Sequence, residues 1–298
     1  MPQRVAIAGS SGLIGGALSA FLTGRGDEVV HLVRRPARTP AEVAWDPSSR
    51  VLDPALLEGV TAVVNLAGAG VGEHRWTPSY KQQILASRVD ATHTVATALA
   101  ERGGPARLVS ASAVGYYGDR GDEVLTEESG PGEGFFTEVV RAWESAADPA
   151  RDAGIQVAHS RSGIVLAAHG GALERMLQVA RLGLGGPLGG GRQYFPWISL
   201  RDEVAALAFL IDHPEITGPV NLCGPQPCPQ REVAAELGRQ LHRPAVLPAP
   251  ALGLKVVLGE LSSDVLASLR VMPARLVREG FVHQDATLEQ AIAWALLS

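Results

Sequence analysis

Short, nearly continuous apolar runs recur along the first two-thirds of the chain, each followed by a longer stretch whose apolar residues return at helical spacing. Arg4–Ala8 (Arg-Val-Ala-Ile-Ala), Val29–Val33, Ala62–Leu66, Leu108–Ala111 and Val157–Ser160 read as strands. Leu13–Gly24, Lys81–Ala100 and Phe136–Ala147 read as helices. Strands without polar alternation are expected where helices cover both faces of a parallel sheet. The strand–helix alternation predicts an α/β fold, a doubly wound parallel-sheet Rossmann fold.

The pattern changes after Val165. Gly183–Gly191 (Gly-Leu-Gly-Gly-Pro-Leu-Gly-Gly-Gly) is too glycine-rich for a regular element and reads as a loop whose backbone approaches something closely. Asp202–Asp212 reads as a helix, Pro219–Leu222 as a late strand of the sheet, and Pro244–Pro250 as a proline-punctuated connector. The rest, to Leu297, reads as a small helical segment. The expected organisation is a nucleotide-binding Rossmann domain over 1–165, to which 200–223 returns. A smaller, mainly helical C-terminal lobe over 166–298 carries the substrate.

The turn after the first strand supplies the first chemistry. Gly9-Ser10-Ser11-Gly12-Leu13-Ile14-Gly15 lies between strand and helix. In such a loop the first glycine permits the tight turn, the second lets backbone approach a diphosphate, and the third lets helix and strand pack closely. The helix start then offers free N–H groups to the phosphates. The alternative is a tight turn without a ligand. At the end of the second strand, where an acid would bind an NAD ribose, stand Arg34 and Arg35; Asp27 and Glu28 sit at the strand's start. Arginine forks suit a 2′-phosphate, so the expected cofactor is NADP(H). The alternative is two solvated surface arginines.

Composition narrows the partners. The net charge of −5 over 298 residues leaves no basic face for nucleic acid. The longest apolar run, Val204–Ile211, is far short of the ~20 residues that cross a bilayer. Met1–Ala8 lacks the basic start and long apolar core of a signal peptide. A cytoplasmic protein with a small-molecule substrate, no nucleic acid and no membrane partner is expected. Cys223 and Cys228 are too few for a disulfide framework, and the eight histidines show no metal-ligand grouping, so no metal site is expected.

With those residues in place, the chain resembles the extended short-chain dehydrogenase/reductases. More narrowly it resembles the sugar-nucleotide epimerase-like family with a distinctive C-terminal domain. The resemblance runs through Gly9–Gly15, Asn65-Leu66-Ala67-Gly68, Arg75-Trp76-Thr77, Lys81, Ser87-Arg88-Val89, Ser110 to Gly118, Trp143-Glu144, Arg161 to Leu166 and Gly183 to Trp197. It ends in Gly259-Glu260, Met272-Pro273 and Glu279-Gly280-Phe281. It implies cofactor contacts at Gly9, Ser10, Ser11, Gly12, Leu13, Ile14 and Gly15, at Arg34 and Arg35, along Leu66, Ala67 and Gly68, and at Ser110. The substrate would lie between the two lobes.

Extended relatives move the proton with a tyrosine and a lysine spaced Tyr-x-x-x-Lys, the lysine cation favouring the phenolate. No tyrosine here has a lysine four residues on. The helix expected to carry the pair reads Phe135-Phe136-Thr137-Glu138-Val139-Val140-Arg141. Phenylalanine and valine thus stand where the pair is expected, and the resemblance is to an atypical member. Ser112, at the end of the strand Leu108–Ala111, remains a candidate to bind a substrate oxygen. Tyr116 or Tyr117 is the candidate replacement phenol; the alternative is a pair of half-buried loop aromatics. Arg192 and Gln193, after the glycine run, are candidates for an anionic substrate group. The leading function is an NADP(H)-dependent oxidoreductase or epimerase-like enzyme on a small polar substrate, possible nucleotide sugars included. The other reading is an NADP(H)-binding redox sensor or scaffold with little or no catalysis.

Overall fold

Strand β1 (Arg4–Ala8) occupies the middle of the sheet, and the parity of its side chains explains its unbroken hydrophobicity. Val5 and Ile7 point into one core, Ala6 and Ala8 into another. The computed structural model describes residues 2–104 and 106–297. After β1 come α1 (Leu13–Arg25), β2 (Glu28–Val33), β3 (Glu42–Ala44), β4 (Ala62–Asn65), α2 (Pro78–Arg102) and β5 (Arg107–Ala113). They are followed by β6 (Val124–Leu125), α3 (Phe135–Ser145), α4 (Asp148–Asp152) and β7 (Gln156–Ser162). Next are β8 (Ile164–Leu166), α5 (Gly171–Arg181), β9 (Tyr194–Phe195), β10 (Trp197–Ser199), α6 (Leu200–Asp212) and β11 (Gly218–Leu222). The remaining elements are β12 (Cys228–Pro229), α7 (Gln230–Leu241), α8 (Ala251–Leu258), α9 (Leu261–Val265), β13 (Arg270–Val271), α10 (Ala274–Arg278) and α11 (Leu288–Leu297).

Seven parallel strands among the described residues form the main sheet in the order β11-β7-β5-β4-β1-β2-β3. This is the doubly wound Rossmann arrangement, and its strand order reverses between β1 and β4, where such sheets open a ligand crevice. One face packs on α1 and α6, through Leu18, Leu22, Leu207 and Leu210. The other packs on α2 and α4, through Ala91, Val95, Leu99 and Ala150. Both faces are therefore dry, which accounts for the apolar strands.

The helix α2 starts at Pro78, three residues before the apolar pattern suggests. Thr77 caps it by accepting from Tyr80 N, and Pro78 fits the first turn, where its missing N–H is no loss. Strand β5 runs on to Ala113, so Ser112 lies within the sheet, in register with Arg161. A third core joins Leu173 and Leu177 of α5, Val233 and Leu237 of α7, and Ala291, Ile292 and Ala295 of α11. It makes the C-terminal region mainly helical. That region is tied to the sheet through α6: Arg201 pairs with Asp285 (Nε to Oδ2, 2.7 Å), and the Asp202 carboxylate accepts from Gln284 N and Asp285 N.

Candidate functional site

The glycine loop has the geometry of a ligand cradle. Gly9 has φ +80°, and a Cβ there would meet the Leu66 backbone at 2.8 Å. The loops that follow β1 and β4 thus touch at the switch point of the sheet. A Cβ on Gly15 would meet Gly9 O at 2.2 Å, so only glycine lets α1 sit this close to β1. Gly12 differs: its nearest neighbour would be 3.4 Å away, and the residue is exposed. No side chain caps α1, which leaves its first N–H groups facing that open side. Ser10, Leu13 and Ile14 are half-buried and Ser11 exposed around it.

The two arginines after β2 are not equivalent. Arg35 donates from Nη1 and Nη2 to Glu42, at 2.8 and 2.6 Å, so its fork is already engaged. Arg34 is exposed and has no ion pair or side-chain hydrogen bond among the described residues. On the other side of the crevice, Leu66 and Ala67 are half-buried and Gly68 exposed. Their loop is held from below by α2: Arg88 Nη1 donates to Ala69 O at 2.9 Å, and Ser87 Oγ accepts from Ala69 N at 3.0 Å. A Cβ on Gly68 would press on the Arg88 stem at 3.2 Å.

A buried polar cluster occupies the α3 side of β5 and β7. Ser112 Oγ donates to Glu144 Oε1 at 2.6 Å. Arg161 grips the same carboxylate, Nε to Oε1 at 2.7 Å and Nη2 to Oε2 at 2.9 Å. Burial alone would raise the Glu144 carboxyl, but the Arg161 fork outweighs it and holds the group below its ordinary value. The Arg161 guanidinium lies 3.5 Å from the centre of the Tyr116 ring. Next to this pair His159 is enclosed, neither ring nitrogen having a hydrogen-bond partner among the described residues, and burial lowers its pKa to about 4. Beyond the turn after Ser112, Phe136 packs on Gly115, and Phe135 and Phe136 both pack against the Trp76 indole.

The sequence pattern of the NAD-dependent epimerase/dehydratase family matches residues 5–223, and that of a domain of unknown function, DUF1731, matches 249–295. The chain belongs to the NAD-dependent epimerase/dehydratase family. Its relatives include an epimerase family protein of Mycobacterium bovis, 42% identical over 98% of this chain and 97% of that one. The mouse epimerase family protein SDR39U1 is 34% identical over 97% of this chain and 98% of its own. Among solved structures, human SDR39U1 (isoform 2) with NADPH superposes with a TM-score of 0.91 at 31% identity, covering 99% of this chain and 100% of that one. A nucleoside-diphosphate sugar epimerase from Corynebacterium glutamicum gives 0.83 at 36% identity, over 99% of this chain and 58% of that one. An oxidoreductase or epimerase-like, nucleotide-binding role follows from this membership.

Within this family member, several expected site residues sit elsewhere than the sequence suggests. Tyr117 is wholly enclosed (0% exposed); its hydroxyl accepts from Arg161 Nη1 at 3.1 Å and donates to Asn221 Oδ1 at 2.7 Å. Burial pushes its pKa to about 12. It is a strut between β7 and β11 rather than a proton donor to a ligand. Ser110 is also 0% exposed, its hydroxyl directed at Ala111 O inside the sheet, so it does not line the crevice. The Gln193 amide donates to Leu188 O at 3.0 Å and braces its own loop. That glycine run packs on the connector: a Cβ on Gly186 would meet Leu247 O at 1.8 Å, and Gly189 N donates to Ala249 O. Arg192 stays exposed, with no side-chain partner among the described residues.

Ser112 (4% exposed) and Tyr116 (half-buried) remain together at the carboxyl end of β5. The Tyr116 hydroxyl has no hydrogen-bond partner among the described residues. Glu144 and Arg161 carry no role in the sequence reading. The strand read as Val157–Ser160 runs on to Ser162 and so takes in Arg161, and a charged residue buried in a sheet is tolerated only if paired. Among the described residues no cluster of His, Cys, Asp or Glu could hold a metal, and no helix is long and apolar enough to cross a membrane.

Proposed function

We propose that this protein is an NADP(H)-dependent oxidoreductase or epimerase-like enzyme that acts on a small polar substrate from an atypical site. The observation that carries the reading is the open face at Gly12, with an uncapped helix start after β1 and, after the neighbouring parallel strand β2, an exposed Arg34 without a side-chain partner among the described residues. Together they offer backbone donors to a diphosphate and a fork to a 2′-phosphate. The NADPH held by the human relative supports the same choice. When bound, the nicotinamide supplies or accepts a hydride. Ser112 and the unengaged Tyr116 hydroxyl hold the substrate oxygen, and the aromatic wall of Trp76, Phe135 and Phe136 excludes water.

A second reading, an NADP(H)-binding sensor or scaffold, is favoured by Phe136 and Val140. They stand on α3 where the resemblance places the tyrosine and lysine, and Val140 is buried. Activity separates the two. The NADPH-loaded protein is screened with carbonyl compounds and nucleotide sugars, following absorbance of the reduced nicotinamide. Turnover that falls at least about tenfold in Tyr116→Phe, as loss of a general acid would give, supports the enzyme. No turnover across the panel supports the sensor.

A further inference from the structure

The Ser112 hydroxyl has one proton, and its destination is visible. An ionised carboxylate can only accept hydrogen bonds. Glu144 is ionised because Arg161 closes on both of its oxygens, and this arginine is itself buried and always charged. The 2.6 Å contact between Ser112 Oγ and Glu144 Oε1 is therefore donated by the serine. What Ser112 has left is lone pairs.

No other group restores a donor at that spot from the neighbouring helix. Val139 and Val140 are buried apolar residues, and Phe136 packs its ring on Gly115. The Thr137 hydroxyl is spent on Gly115 O at 3.0 Å. Arg161 spends Nε–H, one Nη1–H and one Nη2–H on Glu144 and Tyr117.

We propose that Glu144 is a positioning residue that fixes Ser112 as a hydrogen-bond acceptor, so that the site takes a ligand hydroxyl in preference to a carbonyl. The inference rests on the oxidoreductase reading above. The substrate class it names is an alcohol carried on a ring or chain that can lie against Trp76, Phe135 and Phe136. An alcohol can donate to Ser112 Oγ and accept from the unengaged Tyr116 hydroxyl, whereas a ketone of the same shape can only accept and sets its oxygen against the lone pairs of Ser112, which is the costly arrangement in an enclosed site.

The test uses the full-length protein saturated with NADP+ and a matched pair of probes, cyclohexanol and cyclohexanone, titrated by ligand-observed NMR. The affinity ratio between the probes is the readout, because a general loss of packing weakens both alike. The expected result is cyclohexanol bound at least about tenfold more tightly, the worth of one hydrogen bond in an enclosed site. In Ser112→Ala the ratio falls toward one. In Glu144→Ala the Ser112 proton has no carboxylate to bind and is available to the ligand, so the ratio falls or inverts. Should Glu144→Ala fail to fold, Ser112→Ala still decides. Equal or tighter cyclohexanone binding, a ratio that survives Ser112→Ala, or no binding of either probe overturns the proposal. NADP+ affinity is measured in the same samples, and its absence counts against the cofactor reading instead.

Discussion

Arg161 and Glu144 meet end to end inside the protein, the guanidinium fork spanning both carboxylate oxygens at 2.7 and 2.9 Å with the side chains only 4% and 14% exposed. Two charges so enclosed are tolerable only together. Arg161→Met strands a buried carboxylate and is expected to cost about 3–5 kcal/mol. Adding Glu144→Gln to that variant should recover part of the loss, since the stranded charge is then gone. Denaturant melts of the two single variants and the double variant check this. Additive losses would mean that the pair is not coupled.

Two enclosed ionisable groups give opposite pH slopes. Burial lowers His159 from 6.5 to about 4, so below pH 6.5 the unfolded chain takes up the proton first. Stability from this group falls as the pH drops from 6.5 to 4, on the order of 3 kcal/mol. Burial raises Glu203 from 4.5 to about 8, with Ser162 Oγ as its donor at 2.6 Å, so the folded chain holds the extra proton. Stability from Glu203 therefore falls as the pH rises from 4.5 to 8. His159→Leu should flatten the acid side and Glu203→Gln the neutral-to-alkaline side of a plot of stability against pH. A variant whose curve parallels that of the parent chain contradicts its assignment.

The glycine loop predicts a contrast between two substitutions of the same kind. Gly15→Ala drives a methyl into Gly9 O and should unfold or strongly destabilise the protein. Gly12→Ala has room within the fold but covers the open face. It should leave the melting temperature nearly unchanged while weakening NADPH at least about tenfold, ~1.4 kcal/mol. Thermal melts and cofactor titration on both variants check the pair. Unaltered NADPH affinity in Gly12→Ala would place the diphosphate elsewhere.

Elements whose residues are apolar because both faces are covered were legible from the sequence: β1, β2, β4, β5 and β7 lie within a few residues of the apolar runs. The helices α5 and α7 went unread although their buried residues recur four apart (Leu173, Leu177; Val233, Leu237) among polar neighbours, because the glycine and proline runs beside them read as loop and connector. The glycine loop was legible because its function lies in backbone geometry at fixed spacing. The Ser112 cluster was only half so. Ser112 was visible as a serine at a strand end, whereas Glu144 and Arg161 meet it across 32 and 49 residues of chain, through the pairing of β5 with β7 and the packing of α3. Tyr116 and Tyr117 are indistinguishable in sequence; which is enclosed depends on Asn221 of β11, a long-range contact. The glycines of 183–191 signalled close approach correctly but not its object, which is the connector near Leu247.

The central claim is that the crevice at Gly12 and Arg34 binds a dinucleotide bearing a 2′-phosphate. Titration of the purified protein with NADPH and with NADH, repeated on Arg34→Ala and Arg35→Ala, tests it directly. The expected result is NADPH bound about tenfold or more tightly than NADH, as a charge-assisted pair would give. Arg34→Ala should abolish that preference, and Arg35→Ala, already engaged by Glu42, should largely retain it. Equal affinity for the two dinucleotides, or no measurable affinity for either, would contradict it.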